Sequence, residues 1–526
     1  MSAMLDAESN GSPARQSWPR RHALSWVAAV LAIVGGVATA FAWAVASPVG
    51  SSPDDDYHMA SIWCPAPLDR SCSVRTDARG VVEVQVPAQV AKSSGCYSGD
   101  VTVSGACTTQ IADVSVWTTR VNNGEYPGLY YTVMHVFVGE DVYQSVMVMR
   151  AVNGAIAIVL IGLVVVALPR SGRRLFAYST LPVCVPMMIY LVASINPSGW
   201  ALIGVAAAWF SMYAALVSRS QVRTVLSGVL AVVSAGLASS ARSDAGSFLC
   251  LAAFVATILF WPRIRLNRWR LVLPVIVALV GLAGFLSGSQ SGVLTAGFGG
   301  SGGTLILFAA DLVLMPIFMI DFTAGVFGLN WVDTVMPPIV CVPVAILAVA
   351  MLIVGMRRLD WRKLVSFVAV YGVYFALPLY LFVRSGYMLG QGLQPRYMIP
   401  LLPILFGVAL WRPDRGGARR WSLVQTVVLV AVLVFAQTIA LHIQIQRFTS
   451  GLGSGSVNLN SNVEWWHAGP SPMATWILGS VGFAMITATL FILRLGGSSQ
   501  VASGDLRSDV SPEEESSELQ TVPASS

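Results

Sequence analysis

Long, predominantly apolar blocks recur along this chain, among them Ala151–Leu168, Ile339–Met356 and Leu423–Leu441. A run of about 18 or more such residues is long enough to cross a bilayer as a helix. In lipid the backbone must satisfy its own polar groups, so only helices or closed barrels span it. These blocks lack the strict alternation of barrel strands. Composition agrees: of 526 residues, 55% are hydrophobic and 11% charged, whereas a soluble domain carries about 25% charged residues. The expected fold is an all-α polytopic membrane protein with about 12 transmembrane helices.

The formal net charge of +6 does not point to nucleic acid, because the basic residues sit in short loops between apolar blocks. Clusters at Arg15–Arg21, Arg170–Arg174, Arg219–Arg223, Arg263–Arg270, Arg357–Lys363 and Arg412–Arg420 are cytoplasmic by the positive-inside rule. The segments between them then lie outside: Ser47–Tyr143, Asn196–Gly199, Ser239–Gly246, Ser287–Thr304, Asp321–Met336, Arg384–Tyr397 and Arg447–Pro472. Leu305–Ile320 breaks the alternation and carries Asp311 and Pro316, so it reads as re-entrant or interfacial. The chain divides into a cytoplasmic tail (1–22), a first transmembrane helix (23–46), an extracytoplasmic loop domain (47–143), a multi-helix transmembrane domain (144–495) and a disordered cytoplasmic tail (496–526). The apolar stretch Ala23–Ala46 is too long for a typical signal-peptide core of about 7–15 residues, so the first helix is expected to remain uncleaved.

The loop domain has a pattern of its own. Val82, Val84 and Val86 alternate with polar residues, as do Val101 and Val103, which predicts short strands with one buried face. Cys64, Cys72, Cys96 and Cys107 all fall in this loop. Four cysteines outside the membrane suggest two disulfides. Of the three possible pairings, the sequence-local Cys64–Cys72 and Cys96–Cys107 are expected.

Three outer segments could carry chemistry. Ser52-Pro53-Asp54-Asp55-Asp56-Tyr57-His58 places a dense acid cluster just beyond the first helix. It could supply a general base, with neighbours that orient it or hold a divalent cation. It could equally be a helix start, with Ser52 as N-cap, Pro53 as first helical residue and the aspartates facing the helix dipole. The second segment runs from Asn122 to Tyr131 and includes Tyr126 and Tyr130. Its aromatics suit either a sugar-stacking surface or an interfacial belt. In the third, Gln394-Pro395-Arg396-Tyr397, an arginine sits on the outer side, against the topological tendency. Its planar fork could hold a phosphate bidentately, or it could pair with an acid such as Asp333. The remaining outer charges, including Asp69, Arg70, Arg120, Glu125, Arg242, Asp244, Asp321 and Arg384, read mostly as solvated surface. The glycines of 297–303 lack the lysine of a phosphate-cradling loop.

Taken together, these residues resemble a family of bacterial predicted membrane proteins of unassigned function, which in turn is similar to the GT-C class of integral membrane glycosyltransferases. The resemblance rests on Pro53, Asp54, Asp55 and His58 after the first helix, and on Tyr126-Pro127-Gly128-Leu129-Tyr130-Tyr131 before the second. Further matches are Arg150 with Asn153, Ile195-Asn196-Pro197-Ser198-Gly199, Gly328-Leu329-Asn330-Trp331-Val332-Asp333, and Gln394-Pro395-Arg396-Tyr397 followed by Pro400 and Pro403. Gly128 and Pro395 depart from the family pattern, and Asp56 is an extra acid.

The resemblance implies an enzyme of the bacterial plasma membrane with both termini cytoplasmic and chemistry on the outer face. It would transfer a hexosyl or pentosyl group from a polyprenyl-phosphate carrier to an envelope glycan, lipid-linked or protein acceptor. Asp54 or Asp55 would be the catalytic base. Arg396 would bind the donor phosphate, with His58, Tyr126, Tyr130 and Tyr397 in the substrate site and Asp56 and Asp333 in support. Two other functions are compatible with the topology. A transporter or flippase of lipid-linked glycans would need polar residues deep in several spans. A non-catalytic envelope assembly protein would dock through the loop domain and could dispense with the acids.

Overall fold

A computed structural model describes residues 17–78, 80–289, 297, 302–413, 417–418, 420–467 and 469–495. The expected tail 496–526, residues 1–16 of the N-terminal tail and most of the glycine segment 297–303 lie outside them. The first helix runs Ser17–Val45, starting before the expected span. Among the described residues, ten helices are long and apolar enough to cross a membrane, and Ser243–Leu259 and Pro395–Leu410 are shorter apolar helices.

The membership of these helices differs from the expected one. The apolar stretch between Arg174 and Asn196 is not one helix. It breaks into Arg170–Cys184 and Met187–Val192, where Pro182 and Pro186 each remove a backbone donor. Conversely, Leu305–Thr323 qualifies as a span by length and composition, although it was expected to be re-entrant. Its flanks nevertheless return to one face of the molecule. Ser289 N donates to Gly124 O at 3.3 Å and Gly303 N to Val383 O at 2.7 Å. Beyond the helix, Trp331 Nε1 donates to Gly50 O at 2.8 Å.

The centre of the bundle is the helix Pro197–Val217, buried along almost its whole length. Small residues let its neighbours approach closely, as is usual where apolar burial between spans contributes little. A Cβ on Gly204 would stand 2.8 Å from Ser234 O. The helices Ser243–Leu259 and Val272–Leu286 cross where Gly246 faces Gly281, and a Cβ on either would collide with the other's carbonyl oxygen.

Residues 47–141 form a small domain over one end of this bundle. Its sheet has three antiparallel strands, β1 (Val74–Thr76), β2 (Val82–Pro87) and β3 (Ser115–Thr118), in that order. Val84 pairs with Thr118 and Gln85 with Trp117. The predicted alternation holds in β2, where Val84 and Val86 are buried. Val101 and Val103 form no strand. They lie in a turn begun by Gly99 and Asp100, with Thr102 N bonded to the Asp100 carboxylate at 3.0 Å. The disulfides are Cys64–Cys72 and Cys96–Cys107, as expected.

Candidate active site

The backbone between the first helix and the helix Asp55–Trp63 is held almost atom by atom. Buried carbonyl groups must find donors, and here each one from 47 to 54 does. Arg150 donates to Ser47 O and Pro48 O, both at 2.7 Å. Tyr97 OH donates to Val49 O at 2.8 Å and Trp331 Nε1 to Gly50 O at 2.8 Å. Tyr190 OH donates to Ser51 O at 3.0 Å and Asp55 N to Ser52 O at 3.1 Å. Asn196 Nδ2 donates to Pro53 O at 3.0 Å, and His58 N to Asp54 O at 2.9 Å. Arg150, Asn196 and Trp331, singled out by the family resemblance, thus converge on one loop.

This scaffold separates the three aspartates. The helix begins at Asp55, and its N-cap is Asp54, not the expected Ser52; Pro53 lies outside it. Asp54 makes no side-chain cap and adopts left-handed geometry at φ 61°. That conformation is rare for a residue with a Cβ and costs of order 1–3 kcal/mol. It turns the carboxylate outward between two guanidiniums. Arg120 Nη2 donates to Asp54 Oδ1 at 3.2 Å, and Arg396 Nη2 to Asp54 Oδ2 at 3.4 Å. Burial, the largest influence, raises the Asp54 pKa, but Arg396, His58 and Arg120 together, with the Arg120 hydrogen bond, hold the carboxyl below its usual value.

Asp55 points the other way and is fully buried, its Oδ2 accepting from Ser52 N at 2.9 Å. Burial raises its pKa to about 8 despite the attraction of Arg150. Asp56 is gripped by Arg120 through two bonds of 2.9 and 3.0 Å. A divalent cation does not fit this cluster, because guanidiniums already take both oxygens of Asp54 and both of Asp56. Among the described residues, no group of three His, Cys, Asp or Glu side chains is placed to hold a metal.

His58 is buried, with Nδ1 3.0 Å from Tyr131 OH. Burial lowers its pKa to about 3, so it is neutral and packs a ring cluster with Tyr57, Tyr126 and Tyr131. Tyr126 lies under Arg242, 5.5 Å from ring centre to guanidinium carbon. Tyr130 extends this cluster behind Tyr131, edge-on with the ring centres 5.6 Å apart. It is fully buried against Trp200, with its hydroxyl 3.4 Å from Asn153 Nδ2.

Tyr397 flanks Arg396, whose Nη2 reaches its hydroxyl at 3.1 Å. Asp333 does not reach Arg396. It pairs with Arg447 at 3.3 Å and accepts from Gly99 N at 3.2 Å, which ties the Cys96–Cys107 loop to the 328–334 turn.

Three residues first read as solvated surface belong to the site. Arg120 bridges Asp54 and Asp56. Arg242, 6% exposed, is held by Asp244 at 2.7 Å and by Ser198 Oγ at 3.2 Å, and stacks 4.4 Å from the Tyr397 ring. A signal for the two arginines was present, since the argument that singled out Arg396 holds for every arginine on that side.

A family model described as "Predicted membrane protein (DUF2142)" matches residues 38–405. No curated protein matches. Among solved structures, ArnT from Cupriavidus metallidurans in the apo state is similar, at 13% identity and a TM-score of 0.38, covering 94% of this chain and 82% of that one.

Proposed function

The chain belongs to the DUF2142 family of predicted membrane proteins, and from that premise we propose that it is an integral membrane glycosyltransferase of the GT-C type. It moves a sugar from a polyprenyl-phosphate carrier to an envelope glycan, lipid-linked or protein acceptor. The reaction occurs on the outer face of the bacterial plasma membrane.

One observation carries this reading. Asp54 and Arg396, 342 positions apart, meet at 3.4 Å where the loop domain joins the bundle. An ionised acid and a buried guanidinium side by side suit proton abstraction next to a departing phosphate. Asp54 takes the proton from an acceptor hydroxyl, whose oxygen attacks the anomeric carbon of the sugar. The bond from that carbon to the phosphate oxygen breaks with inversion. The carrier phosphate leaves with the electron pair, and Arg396 stabilises its developing charge. The rings of Tyr57 and Tyr126 lie beside Asp54 and suit an apolar sugar face. Asp55, buried and protonated, is assigned to the scaffold.

The test is a deletion strain complemented with wild-type or Asp54→Asn protein, with envelope glycans and polyprenyl-phosphate sugars both measured. The deletion should accumulate the carrier-linked sugar and lose a glycan. Wild-type protein should restore both, and Asp54→Asn protein should restore neither. A deletion that changes neither pool removes the proposal.

A further inference from the structure

Arg396 stands between Asp54 and a narrow cleft of about 10 Å³, room for one water, lined by Ser198, Arg242, Asp244, Tyr397 and Pro400, so a phosphate enters it only as Arg396 moves. Both arginines are buried, at 7% and 6% exposure, and both stack on the ring of Tyr397, at 4.8 and 4.4 Å. Arg242 is fully braced by Asp244 and Ser198. Arg396 is not. It has the long bond to Asp54 and one to Tyr397, and its buried Nε has no partner. An unmet buried donor is costly, more so in a charged group. Ala201 and Leu202 continue the wall of the cleft toward the bundle interior.

We propose that the phosphate of a lipid-borne substrate binds between Arg396 and Arg242, and that it frees Asp54 by drawing Arg396 away. The donor must then bind before the acceptor can be activated. This rests on Asp54 being the base in the reading above. Each oxygen of Asp54 is held by a different guanidinium, and a carboxylate so paired is a weak base. The other titratable groups facing it are neutral His58 and the Tyr126 hydroxyl, while the neighbouring Asp56 is gripped by Arg120. A phosphate can bond Arg396 bidentately, which the single 3.4 Å contact to Asp54 does not match. Coupling of this kind is reciprocal: whatever weakens the hold of Asp54 on Arg396 must strengthen phosphate binding.

The experiment measures binding of n-decyl phosphate and of inorganic phosphate to the full-length protein in phosphatidylcholine nanodiscs, by calorimetry. Asp54→Asn should tighten decyl phosphate about fivefold or more. Arg242→Ala should weaken it about tenfold or more, with Arg242→Lys intermediate. Arg75→Ala, at the exposed strand β1, should match wild type. Inorganic phosphate should bind at least about tenfold more weakly than decyl phosphate, because it lacks the buried tail.

Unchanged or weaker binding in Asp54→Asn overturns the coupling. Unchanged affinity in an Arg242→Ala protein that melts like wild type overturns the cleft. Equal affinity for the two phosphates overturns a lipid-borne ligand. Loss of binding when phosphatidylglycerol replaces phosphatidylcholine assigns the cleft to a bilayer headgroup and overturns the proposal. If Arg242→Ala does not fold, Arg242→Lys and Asp54→Asn carry the test. None of these measurements depends on sugar transfer, so a failed transfer assay and a failed binding assay remain separate results.

Discussion

Asp54, Asp55 and Asp56 are adjacent in sequence and do three different things. Left-handed backbone geometry aims Asp54 at Arg396, burial keeps Asp55 protonated, and Arg120 immobilises Asp56. Asp54→Asn should lower transfer by about 10²–10⁴-fold, the usual contribution of a general base, with little change in membrane abundance. Asp56→Asn should cost less. Comparable small losses at all three aspartates, tracking expression, would return the motif to a helix-start role. Arg396→Lys should remain impaired because a point charge cannot replace the fork, and Arg396→Ala should be worse; an assay of glycan product ranks them.

Asp55 adds a pH signature. Its folded pKa, about 8, lies above the unfolded value near 3.9. The folded state therefore holds the proton more tightly, and this contribution is full below about pH 4 and is lost as pH rises through about 8. Melting curves of Asp55→Asn should lose that decline, and a wild-type profile that rises from pH 5 to 8 would contradict the assignment. The chemistry of the Pro-Asp motif could be read from sequence. Its division of labour could not, because it depends on a positive φ and on partners more than 60 positions away.

At the scale of elements, the acidic loop is shaped as much by donors from elsewhere, which hold the carbonyls of 47–51 and 53, as by its own hydrogen bonds at Ser52 and Asp54. Trp331→Phe removes one donor and leaves Gly50 O unsatisfied, which costs about 1–3 kcal/mol where the group stays buried. Activity should fall several-fold while the protein still inserts, and a fully active, equally stable variant would show that water replaces the indole. The strand β2 was legible because its residues alternate between buried Val84 and Val86 and half-buried neighbours. The segment around Val101 was not, since its valines serve loop-to-loop contacts such as Leu452 N to Val101 O at 2.8 Å. Arg120 and Arg242 were missed for a related reason: a short sequence window records that they lie outside, but not that the fold buries Arg242 and lays the exposed Arg120 across Asp54 and Asp56.

At the scale of the molecule, the arrangement predicts two faces with opposite accessibility. A cysteine replacing Val457, 79% exposed on the face of the loop domain, should react with an impermeant thiol reagent on intact cells. One replacing Arg219 should react only after permeabilisation. Labelling at 219 in intact cells would invert the orientation and remove the case for outward chemistry. Cysteines replacing Thr304 and Val335, at the two ends of the Leu305–Ile320 helix, should label from the same side. Opposite sides would make that helix a full crossing.

The carbonyl scaffold around residues 47–54 also has a consequence in time. Its donors come from positions 97, 150, 190, 196 and 331, and the partner of Asp54 from 396. During synthesis the acid leaves the ribosome early, yet the groups that fix it arrive over the next three hundred or so residues. A nascent or truncated chain thus carries the motif without its geometry, and the site completes itself last. Chains ending before Trp331 should insert their first helices but keep this loop open to protease, while chains extending past Tyr397 should protect it.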